Sequence, residues 1–176
     1  MKFLWTILLA IVVLQSCTEV KFKQPQPQGI AALESIPESM QGYYLLGDKD
    51  TVKIFANGFE MKKDSTNEKE QHELSEFFAI KRWKKTIFIN LRDKDEPYWS
   101  VIFLTPNDSN ISVGFLSFNQ NDKESIDQFK QLTKVEELLN EEGKITNYLI
   151  DPSKKELKKI LKTIPMYDLG KLRKIE

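Results

Sequence analysis

The chain has 176 residues but only one cysteine and one histidine. A single cysteine closes no intrachain disulfide, and a single histidine builds neither a two-His metal site nor a Cys/His zinc cage. There is no surplus of charge either, because 26 Lys plus Arg stand against 26 Asp plus Glu. A general nucleic-acid binder neutralises phosphates with excess cations, so no nucleic-acid partner is expected. A Gly-rich phosphate loop, a nucleophile elbow and paired carboxylates are missing as well. These absences predict a protein that is not an enzyme and holds no metal or dissociable cofactor.

Long apolar runs are equally scarce, with one exception at the start. From Phe3 to Leu14 only Thr6 is polar. A helix needs about 20 apolar residues to cross a bilayer, and this shorter run suits the h-region of a secretory signal peptide spanning residues 1–16. The next residues, Leu14-Gln15-Ser16-Cys17, resemble the lipobox of bacterial lipoproteins, the class processed by signal peptidase II. That resemblance implies that Cys17 becomes the first residue of the mature chain and carries a thioether-linked diacylglycerol and an N-acyl chain. The one cysteine of the chain falls at the one position lipidation requires. Each buried acyl methylene contributes about 0.8 kcal/mol, so two or three chains hold a protein to membrane lipid without a transmembrane helix. The expected location is the bacterial cell envelope, lipid-anchored, with the outer membrane favoured over the inner and the domain facing the periplasm or the cell surface.

After the cysteine, residues 17–29 read as a lipidated anchor followed by an extended tether. TEVKFKQPQPQG has no apolar period, and its alternating Gln and Pro favour a polyproline-like chain about 35 to 40 Å long. Residues 30–176 read as one β-rich domain. Gly42 to Leu46, Thr51 to Ala56 and Phe59 to Met61 are strand-like, the last two joined by Asn57-Gly58, a strong hairpin signal. Lys62 to Glu73 is a polar excursion. Glu76 to Arg82, Thr86 to Arg92, Tyr98 to Thr105 and Ile111 to Phe118 come next as strands with turn residues between them. In the second of these, Ile87, Ile89 and Leu91 share one face, while Thr86, Phe88 and Asn90 share the other. Such a sheet requires a closed or covered second face. Asp122 to Leu139 reads as helix in its first half or extended in its second, and Lys144 to Ile150 as strand. A helix capped by Asp151, with Pro152 at its first position, runs to Pro165 with Leu157, Ile160, Leu161 and Ile164 at helical spacing. Lys171 to Ile175 is expected to return as an edge strand. The fold class is therefore α+β and β-rich: an antiparallel meander or small barrel-like sheet with one C-terminal amphipathic helix packed on it.

A Pro-containing turn at Ile36 to Met40, then Gly42-Tyr43-Tyr44, a meander, a late helix and a short closing strand resemble the lipocalin-like barrels, or calycins. The resemblance implies a fold and no more.

Three groups of residues invite a functional reading. His72, in Gln71-His72-Glu73, is expected to be an exposed loop residue whose loss does little. Asp93, Asp95 and Glu96 place oxygens at alternate positions but lack the glycine and distal glutamate of a calcium loop, so a solvated turn is expected. Lys81, Arg82, Trp83, Lys84 and Lys85 gather four cations around a Trp at a hairpin tip and form the candidate binding residues, for anionic lipid or an acidic partner; the competing expectation is that Trp83 folds back on the sheet. Charge is also segregated. Residues 107–143 hold eight acidic and three basic groups, and residues 154–176 the reverse. Lys154, Lys155, Lys158, Lys159 and Lys162 line the polar side of the last helix. The first function expected is a non-catalytic envelope module that binds or assembles with a protein partner. The second is a carrier of a small apolar ligand, lined by Phe88, Trp99, Phe103 and Phe115. An enzyme such as a hydrolase comes third.

Overall fold

Residues 17–47, 49–66, 68–107 and 110–175 are described by a computed structural model. The expected signal peptide and the lipobox-like residues before Cys17 lie outside the described residues. In chain order the elements are β1 (Cys17–Phe22), β2 (Gly42–Leu46), β3 (Asp50–Phe55), β4 (Gly58–Lys62), β5 (Lys69–Glu73), β6 (Phe78–Trp83), β7 (Thr86–Leu91), β8 (Ser100–Asn107), β9 (Asn110–Phe115), β10 (Ser117–Asn119), α1 (Lys123–Leu132), β11 (Val135–Leu139), β12 (Ile145–Ile150), α2 (Lys154–Thr163) and β13 (Tyr167–Lys174).

Alternation in β7 and β8 organises everything around them. Ile87 and Leu104 face one way, Phe88 and Phe103 the other, and all four are buried. These strands therefore separate two cores. On the inner side, nine strands in the order β5-β4-β3-β2-β13-β9-β8-β7-β6, antiparallel throughout, curl into a nearly closed barrel. Ile36, Val52, Ile80 and Val113 belong to this inner core. On the outer side lies a four-stranded sheet, β10-β1-β12-β11, together with the two helices. Phe22, Phe129, Leu157 and Ile160 are completely buried there against Phe88 and Phe103.

The two edges of the large sheet, β5 and β6, are consecutive in the chain. Every neighbouring pair between them is antiparallel, so they run in the same direction, and residues 74–77 carry the chain across the seam. The nearly closed, β-rich architecture matches the expected class. Among the described residues it carries two α-helices rather than one. The uncertain segment 122–139 resolves into both of its readings, α1 and then β11.

Residues 18–29 differ from the expected tether. Thr18, Val20 and Phe22 are 0 to 2 % exposed, and β1 sits between β10 and β12 with pairing on both flanks. Short alternation in Thr18-Glu19-Val20-Lys21-Phe22 buries one face. The Gln-Pro run beyond it, which has a cis bond at Gln26-Pro27, bends through residues 23–27 and is docked on β7 through Gln26 and Asn90.

Two further differences concern the C-terminal part. The cap of α2 is Ser153, in a capping box with Glu156, while Asp151 accepts hydrogen bonds from the side chains of Gln24 and Gln28. β13 is not an edge: it joins β2 to β9.

Candidate functional site

Inward-facing positions of the nine-stranded sheet do not fill its interior. Val52, Ile80, Ile89, Ile102, Leu104 and Val113 are among the residues that surround a cavity of about 520 Å³. Ile89 and Ile102, directly paired between β7 and β8, are part-exposed because they border this space. The volume lies in the usual range for a small-molecule site, about 300 to 1,000 Å³. The wall is aliphatic for a simple geometric reason. Bulky Phe88 and Phe103 occupy the opposite parity of the same strands and are spent on the outer core. Trp99 lies there too, and Phe115 packs its ring against Tyr167 at 5.2 Å. The four aromatics expected to line a ligand site therefore do not; their aliphatic neighbours do.

One end of the cavity is closed by the chain between Pro27 and Gly42. The Leu33 N–H donates to the Ile80 carbonyl and the Ile36 N–H to that of Ala56, both at 2.7 Å. Ile36 is buried, and Met40 completes the floor. The Tyr44 hydroxyl donates to the Met40 carbonyl at 2.9 Å, and burial pushes its pKa up, which keeps it a neutral donor.

The opposite end is the mouth, bordered by Gly47, Asp50, Lys63, Glu70 and Leu169. One pair of its charges is matched. Lys63 bonds Glu70 at 2.9 Å, and this pairing raises the ammonium pKa and lowers the carboxyl pKa. Asp50 accepts from the Asp64 N–H at 3.0 Å. Leu169 arrives at the mouth through a bulge. The register of β13 against β9 shifts between Asp168 and Gly170, which lets Leu169 and Leu172 both border the cavity although strict alternation puts them on opposite faces.

His72 is the largest departure from expectation at this site. It lies on β5, not in a loop, stacks on Phe59 at 5.0 Å and borders the cavity. Among the described residues its imidazole has no hydrogen-bond partner. Its placement depends on Gly58, whose position across from β5 leaves no room for a side chain: a Cβ there meets the His72 carbonyl oxygen at 2.0 Å.

The five residues of the basic turn do not converge on one site. Trp83 folds back toward Phe88, with 6.4 Å between rings, and Lys84 at the tip places its amine 5.3 Å from the indole. Lys81 turns inward and donates to the carbonyls of Pro25 and Pro27 at 2.8 and 3.1 Å; burial lowers its pKa. Arg82 and Lys85 border a separate hollow of about 290 Å³ beside Lys174. Asp93 and Asp95 are exposed, and the Glu96 carboxylate lies 3.9 Å from Lys21. Cys17 is exposed at the start of β1.

Sequence reasoning missed Leu169 and the mouth. The signal was Asp168-Leu169-Gly170, where a glycine inside a strand marks a bulge; Gly170 has φ +113°. Among the described residues no helix is long and apolar enough to cross a membrane. Comparison of the chain with protein-family models, curated proteins and solved structures gives no match. An apolar chamber with a Lys63–Glu70 pair at its mouth is suited to burying a molecule rather than to polarising one.

Proposed function

We propose that the chain is a lipid-anchored protein of the bacterial envelope that holds a small apolar ligand inside its barrel, with Cys17 as the acylated residue. The carrying observation is the largely aliphatic cavity, whose charged residues Asp50, Lys63 and Glu70 lie at one end. Burying about 300 Å² of ligand surface contributes about 7 kcal/mol before the cost of immobilising the ligand.

The test is organic extraction and native mass spectrometry of the full chain purified from membranes, with an Ile102→Trp variant alongside. Ile102 borders the cavity, so an indole there takes up ligand space. An apolar molecule at near-stoichiometric amount in the parent chain, lost in the variant, is expected. A parent chain that is clean and takes up no hydrophobic naphthylamine probe overturns the reading.

A second reading, an assembly module for an acidic envelope protein, draws on α2. Its Lys154, Lys155, Lys158, Lys159 and Lys162 are all exposed. Charge reversal at Lys158 and Lys159 that abolishes capture of such a partner supports it; unchanged capture removes it.

A further inference from the structure

Three large apolar side chains, Met166, Tyr167 and Leu169, are 36, 50 and 41 % exposed, and they cluster where β13 begins. Leu169 borders the cavity mouth, so this patch is continuous with the cavity wall. Beside it stand Lys49, in the β2–β3 turn, and Lys171, both exposed and, among the described residues, without an ion pair. Gly47 donates its N–H to the Lys171 carbonyl, which ties the β2–β3 turn to this rim. Of the carboxylates near the mouth, Glu70 is ion-paired with Lys63, while Asp168, Glu68 and Asp50 accept from the Gly170 N–H at 2.8 Å, the Thr66 hydroxyl and the Asp64 N–H. Aromatic and aliphatic side chains fringed by lysine suit the boundary of a bilayer bearing anionic headgroups.

The position of Cys17 selects which membrane face this is. Phe115 lies opposite Tyr167, and four residues further along the same stretch of chain Asn119 lies opposite Cys17. At the rise of a strand those four residues span about 13 Å at most. No tether intervenes, since β1 begins at Cys17 itself. We infer that the cavity mouth rests on the leaflet in which Cys17 is anchored, with Met166, Tyr167 and Leu169 in the headgroup region, so that ligand passes between membrane and barrel without crossing water. The ligand class is then a membrane-resident lipid or other bilayer-soluble molecule. This inference rests on the lipid-anchored carrier proposed above.

Spin labelling of the full acylated chain in vesicles of phosphatidylethanolamine and phosphatidylglycerol tests it. With the Cys17 sulfur in a thioether, an introduced cysteine is the one free thiol. Labels at Met166→Cys and Tyr167→Cys are expected to lose collisions with an aqueous nickel chelate and gain collisions with oxygen, while labels at Lys85→Cys and Lys158→Cys remain in water. Membrane contact at the Lys85 or Lys158 label in place of the rim, or all four labels in water, overturns the orientation. A Tyr167→Asp chain adds a kinetic readout. Its uptake of a pyrene fatty acid supplied in vesicles is expected to slow, and uptake from buffer to stay unchanged; equal rates from both sources count against the inference. Failure of the parent reading is distinguishable, because it shows as no acyl group on Cys17 or as no uptake from buffer by the unmodified chain.

Discussion

Asn90 and Gln26, 64 residues apart, form a two-bond ring: the Gln26 N–H donates to the Asn90 Oδ1 at 2.6 Å and the Asn90 Nδ2 donates back to the Gln26 carbonyl at 3.0 Å. Both residues are wholly buried. The side-chain amide of β7 thus takes the place of a strand neighbour for the Gln-Pro run. Asn90→Leu leaves two buried backbone groups unpaired, at about 1–3 kcal/mol each. A lower urea midpoint at unchanged denaturant slope is the expected result. Gln26→Met has a different expectation. Its Oε1 is buried without a hydrogen-bond partner, so removing that oxygen offsets the loss of the Nε2 bond to the Gln24 carbonyl at 3.0 Å, and a net change within about 1 kcal/mol of zero is expected in the same assay.

Ile102 and Phe103 are neighbours on β8 that face different cores, and truncating them separates an open interior from a filled one. Phe103→Ala is expected to cost about 3–5 kcal/mol, as befits a completely buried ring. Ile102→Ala borders space that already exists, and its cost is expected to fall below the about 2–5 kcal/mol of a filled core. Equal losses in urea unfolding speak against an empty cavity in the free chain.

Gly58→Ala drives a methyl group into the carbonyl of His72. Backbone, not a flexible side-chain end, blocks it, so β5 must move away from β4. Faster hydrogen exchange at the amides of Lys69–Glu73 and weaker naphthylamine binding are expected. Unchanged exchange there rules out the close approach.

The capping box on α2 gives a pH-dependent prediction. Hydrogen bonds from Ser153 hold the Glu156 carboxyl below its ordinary pKa. A carboxyl depressed in the folded state stabilises fully above its unfolded value, and that contribution disappears as pH falls through the folded value. Ser153→Ala is expected to cost about 1 kcal/mol near neutrality and less in acid. Thermal unfolding of both chains at about pH 7 and at about pH 3 measures the difference; a penalty that grows in acid contradicts the sign.

Much of the barrel is visible in the chain, and the reasons for the rest are physical. β7 announces itself because Ile87, Ile89 and Leu91 alternate with polar or aromatic neighbours. β5 has no such signal: Lys69-Glu70-Gln71-His72-Glu73 offers no apolar residue, and it is a strand only because β4 presents a ladder to it. β1 is masked by its neighbour in the chain, since a Gln-Pro run looks solvated until Asn90 supplies its partner. β13 reads as an edge because alternation tells which face is buried and not who the neighbours are. The cavity itself is invisible for a deeper reason. Ile102 in a filled core and Ile102 beside empty space have the same pattern, and strand number and closure decide between them.

Because β1 is held on both flanks, it is also a mechanical element. A pull applied at Cys17 along the strand meets the rungs to β10 and β12 together, in shear, and they must yield in concert rather than peel one by one. Past Phe22 the same load reaches Lys23, bonded to Ile150, and then the Gln26–Asn90 ring. Force arriving at Cys17 is therefore spread over the outer sheet before it reaches the barrel.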